Sequence, residues 1–109
     1  MSHGVAWTIL TIAGFLEIGW AIGLKYTDGF TKVVPSIFTV VCLIGSMLLL
    51  AKATQVLPIG TAYAVWVGIG ALGAAVVGMI VLKEPASLPK IGFLILLLIS
   101  IIGLKLTAK

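Results

Sequence analysis

Charge is what this sequence has least of: acidic and basic residues make up 9% of its 109 positions, arginine is absent, and 61% of the chain is hydrophobic. A soluble domain of ordinary composition carries about 25% charged residues, so lipid is the solvent that suits this chain. A lone cysteine, Cys42, excludes an intramolecular disulfide, and with His3 as the sole histidine no metal site can be assembled. Seven lysines against three acidic residues give a net charge of +4, yet the lysines form no compact basic patch, which excludes nucleic acid as a partner. No nucleophile and base pair and no cofactor motif stand in a supporting context, so an enzyme is not the expected class and no cofactor is expected. The first four residues lack a cationic run and three more apolar segments follow the first, so that segment is expected to be retained rather than cleaved.

The charges are unevenly placed. Glu17 is the only one between Gly4 and Leu24, and none occurs in 33–51, 53–82 or 91–104. A helix needs about 20 apolar residues to cross roughly 30 Å of hydrocarbon. The sequence therefore predicts an all-α membrane protein, a single four-helix transmembrane domain over 1–109 with helices at about 4–24, 33–51, 57–82 and 88–106. Lysines at the ends of these segments carry their ammonium groups to the interfaces. Pro58 and Pro89 fall near helix starts, where a missing N–H does little harm, and Ser87 is a candidate cap for the last helix.

If the N-terminus, second loop and C-terminus share one side, that side carries Lys52, Lys105 and Lys109, and the other carries Lys25, Lys32, Lys83 and Lys90. The lysine asymmetry that normally orients a membrane protein is nearly nil. Insertion in both directions and pairing as an antiparallel, dual-topology homodimer is the expectation, an inverted-repeat transporter built from two copies of one chain.

Glu17 is the residue that points to chemistry, because a carboxylate at mid-membrane is costly and marks an ion or proton site by default. Protonation neutralises it and a bound cation requires it ionised, so proton and cation compete for one position, the minimum for exchange. Gly14 and Trp20 share its helical face, and the indole N–H of Trp20 is a donor suited to orienting a carboxylate. Tyr63, Trp66, Gly70 and Gly73 fall at i, i+3, i+7 and i+10 of the third segment, a stripe that reads as a pocket wall able to hold a cation. Ser46 adds a hydroxyl in the body of the second segment.

Gly68-Ile-Gly70-Ala-Leu-Gly73 matches a dinucleotide-binding fingerprint, but no strand precedes it and no acidic residue follows about 20 positions on. Gly68, Gly70 and Gly73 serve instead for close helix packing or a hinge within the membrane. The last segment, with Ser100 and Gly103 among its few small residues, is expected to pack against a second copy.

Several runs resemble one family closely, and over nearly the whole chain: Glu17 followed by Trp20-Ala-Ile-Gly-Leu-Lys25, then Gly29-Phe-Thr, Leu57-Pro-Ile-Gly-Thr-Ala-Tyr-Ala-Val-Trp66, Gly68-Ile-Gly-Ala-Leu-Gly73, and Lys83-Glu-Pro85. These resemble the small multidrug resistance transporters, and within them the guanidinium exporters. The resemblance implies an antiparallel dimer in the bacterial inner membrane whose paired Glu17 carboxylates alternately bind protons and a guanidinium-type cation. It also implies that Trp20, Ser46, Tyr63 and Trp66 line the site and hydrogen-bond the glutamates. Quaternary ammonium exporters of the same family look similar but lack a Trp like Trp20. Where the family usually carries Thr or Ser after Trp66, this chain has Val67, which bears on selectivity.

Overall fold

The computed structural model describes residues 1–107, which form four helices: α1 (His3–Tyr26), α2 (Val33–Ala53), α3 (Ile59–Val81) and α4 (Leu88–Thr107). All four are long and apolar enough to cross a membrane. Lys109, counted above with the lysines of one side, lies outside the described residues.

Helix ends differ from the sequence-based bounds for local reasons. α1 starts one residue early on Ser2, whose Oγ accepts the Val5 N–H at 3.1 Å and satisfies one orphan donor of the first turn. It runs on through Tyr26 to Thr27, whose hydroxyl donates to the Leu24 carbonyl at 2.8 Å and accepts the Phe30 N–H at 3.2 Å. The Thr27 carbonyl then takes N–H groups from both Thr31 and Lys32. That clasp holds Asp28, Gly29 and Phe30 at φ of 49°, 70° and 64°, a left-handed turn in which glycine is at ease and the other two are restrained by their surroundings. α3 starts at Ile59 rather than 57, because Pro58 stands at the cap position with extended backbone while Leu57 is buried in the loop. Ser87 caps α4, its Oγ accepting the Lys90 N–H at 3.2 Å.

Packing is strongly unequal. α1 lies between α2 and α3, α2 and α3 touch only slightly, and the main chain of α4 approaches α3 alone. The result is a slab, 41 × 35 × 16 Å, too thin to enclose a path on its own. Small residues set the approach of the helices, as expected where lipid removes any hydrophobic drive between them. Gly19 meets Cys42, Gly23 meets Thr39 and Gly45 meets Leu16 across α1 and α2, whereas Gly14 meets Ile69 and Gly73 meets Ile18 across α1 and α3. No residue of α4 is buried.

Candidate functional site

Glu17 projects from the middle of α1 onto α3, where Gly70 leaves room for it. A Cβ at Gly70 would stand 2.7 Å from both Cγ and Oε1 of Glu17, so the missing side chain is what seats the carboxyl. Its Oε2 is buried without a hydrogen-bond partner. Among the described residues no lysine or histidine lies within ion-pair distance of it; the nearest lysine in sequence, Lys25, is exposed at the far end of α1. A buried oxygen left unsatisfied costs about 1–3 kcal/mol, more if ionised.

Beside it, a short chain of hydrogen bonds ties the three packed helices together. The Trp66 indole N–H of α3 donates to Ser46 Oγ of α2 at 2.9 Å, and the Ser46 hydroxyl donates to the Ala13 carbonyl of α1 at 2.6 Å. Ala13 is one turn before Glu17, so this chain fixes the part of α1 that carries the carboxylate. Ser46 and Trp66, 0% and 6% exposed, thus bond to each other and to the α1 backbone rather than to the glutamate itself. Tyr63 is 53% exposed, with its ring 5.6 Å from that of Trp66. The aromatic stripe therefore has one inward and one outward member.

Trp20 shares the face of Glu17 but makes no hydrogen bond to it, and its Nε1 is buried without a partner. Thr39 is a third such atom, and sequence reasoning passed over it. Its hydroxyl, 1% exposed and unpartnered, presses on Gly23. The available signal was its position seven residues before Ser46, two turns back on the same face of α2.

The remaining residues fall elsewhere. Gly14 is buried at the α1–α3 contact, where an added Cβ would stand 2.7 Å from Ile69 Cγ2 and 2.9 Å from its Cβ. α3 runs as continuous helix through Gly68, Gly70 and Gly73, and each of the three faces a close neighbour, respectively Ile101, Glu17 and Ile18. On α4, Ser100 is exposed with its hydroxyl on the Leu96 carbonyl of its own helix, and Gly103 has open space beside it.

Four helices long and apolar enough to cross a membrane, one of them carrying a carboxyl oxygen with no partner, are the architecture of a small multi-pass membrane protein. The chain belongs to the small multidrug resistance family: the family model described as "Small Multidrug Resistance protein" matches residues 5–98. It is 54% identical over 103 residues to the guanidinium exporter of Escherichia coli strain K12, covering 94% of this chain and 98% of that protein. Identity to the guanidinium exporter of Yersinia pseudotuberculosis is 57% over 104 residues, covering 95% of this chain and all of the relative. The Salmonella typhimurium guanidinium exporter is 53% identical over 104 residues, covering 95% and 99%. With these relatives and four spanning helices, the chain is a multi-pass protein of the bacterial inner membrane.

Proposed function

We propose that this protein exports guanidinium and small substituted guanidinium cations in exchange for protons, acting as an antiparallel, dual-topology homodimer whose two Glu17 carboxylates bind either species. The observation that carries the proposal is the half-buried Glu17 carboxyl in the middle of α1, whose Oε2 is buried and unpartnered with no protein cation beside it among the described residues. An arriving planar cation with N–H donors satisfies that oxygen and displaces the proton, and guanidinium suits bidentate pairing with a carboxylate. The relatives named guanidinium exporters support the choice of cation.

A homodimer supplies what one chain lacks, since a slab 16 Å thick has no second wall. In that dimer Trp20, Tyr63 and Trp66 line the path, the buried Trp20 N–H finds an acceptor, and Ser46 holds α1 in place. Purified protein in liposomes, with transport currents recorded on guanidinium and on tetraethylammonium gradients, tests the reading. Guanidinium should drive proton counterflow and tetraethylammonium should not, because it has no N–H to donate. Current with tetraethylammonium alone would reassign the protein to quaternary ammonium export. Dual insertion is checked with a C-terminal tag in intact cells, which should be half accessible from outside; access from one side only would overturn it.

A further inference from the structure

α4 packs on α3 and leaves α1 alone, so an open groove runs between α1 and α4 with α3 as its floor. Two adjoining cavities fill it, of about 300 Å³ and about 350 Å³, sharing Thr11, Ile69 and Ile101 in their walls. From Trp7 at one end to Ile18 at the other the groove follows eleven residue steps of α1, about 16 Å at 1.5 Å per step. That is close to half of a roughly 30 Å hydrocarbon layer, the depth of one leaflet.

The walls are apolar along this length, and the Thr11 hydroxyl is committed to the Trp7 carbonyl of its own helix at 2.9 Å. The exception is at the mouth. Lys105 lines the groove there, with its ammonium 6.0 Å above the Trp7 ring and no acidic partner within ion-pair distance among the described residues. A trough one leaflet deep, apolar along its walls and ending at a lysine ammonium, has the length of one acyl chain and, at its mouth, the charge that attracts a phosphate.

We propose that the α1–α4 groove binds one anionic phospholipid, its acyl chain along Thr11, Ile69 and Ile101 and its phosphate on the Lys105 ammonium, with Trp7 at the headgroup level. Tryptophan at that depth is at home, and lysine reaches the surface along its own apolar stem. The site depends on embedding in a bilayer and not on the cation exported, so it stands or falls apart from the transport reading.

Trp7 reports on the groove directly. The protein is reconstituted into equimolar phosphatidylcholine and phosphatidylglycerol with bromine on the chains of one lipid or the other, and the Trp7 signal is taken as the difference from Trp7→Phe. Phosphatidylglycerol should be preferred at Trp7 by about fivefold, the ratio that corresponds to about 1 kcal/mol for one lysine at an anionic surface. Lys105→Gln should bring the two lipids to equal quenching, and Lys105→Arg should keep the preference. Equal quenching in the unmodified protein, or a preference that survives Lys105→Gln, overturns the proposal. So does a Trp7 that neither lipid quenches, because the groove would then be covered by protein.

Discussion

α1 and α4 are apolar helices of similar length, 24 and 20 residues, yet they stand at opposite ends of the packing scale. α1 buries Ala6, Leu10, Ala13, Gly14 and Gly23 and touches two neighbours, whereas α4 buries nothing. Hydrophobicity does not account for this, since α2 is more apolar than α4 and yet packs along α1. What α1 has is a supply of small residues spaced along its contact faces, each met by a larger side chain from α2 or α3. α4 presents mostly Leu and Ile, with Phe93 at 71% and Leu106 at 79% exposure. In a bilayer, tails solvate leucine as well as another helix does, so close approach and polar contacts decide which helices pack. The proposed exchange would depend on that packing, because Glu17 is on the helix held most firmly.

The largest effect should come from Glu17→Gln, which keeps the shape of the side chain and removes the exchangeable charge. Substrate-driven proton flux in liposomes should vanish while helical circular dichroism is unchanged; residual coupled flux would move the proton site elsewhere. Gly70→Ala comes next and acts on the same group by displacement. Its Cβ meets the flexible end of Glu17, so the protein should fold while guanidinium binding and flux fall by about tenfold or more, the cost of misplacing a reacting group by around 1 Å. Wild-type flux in this variant would show that the carboxyl needs no fixed seat.

Stability should then separate the two helices. Gly14→Ala pushes on the Cβ of Ile69, which cannot swing aside, and should cost about 1–3 kcal/mol in detergent unfolding. Ser46→Ala strands the buried Trp66 N–H and should cost about 1–3 kcal/mol, against roughly 0.5 kcal/mol or less for Ser100→Ala, whose hydroxyl bonds only its own helix. Gly103→Ala acts with the opposite sign: its Cβ meets nothing within 4 Å, and it should gain up to about 1 kcal/mol through helix propensity. If that substitution instead separates crosslinkable dimers into single chains, a second copy packs on this stretch of α4, as the homodimer reading expects.

Much of this was legible in the residues. Three charge-free runs and a fourth broken only by Glu17 mark the four helices, since hydrocarbon excludes charge along the whole crossing. Glu17 declares itself by being the exception. Less visible was the direction in which each small residue points. Gly68 and Gly70 are two positions apart and read alike as packing or hinge glycines, but two residues turn a helix by about 200°, so one faces Ile101 on α4 and the other Glu17 on α1. Thr39 escaped notice because a threonine in an apolar run usually bonds its own helix, and only its burial against Gly23 sets it apart.

By itself the sequence determined the solvent, the number of spans and the residue that can titrate inside the membrane, because each is a property of composition along a single helix. Tertiary structure decided the rest. Ser46 joins Ala13 across 33 positions and Trp66 across 20, and Gly70 seats a carboxyl 53 positions earlier. Such pairings depend on which helices come within reach and at what rotation, and two helices with the same hydropathy can satisfy the bilayer equally well without ever meeting.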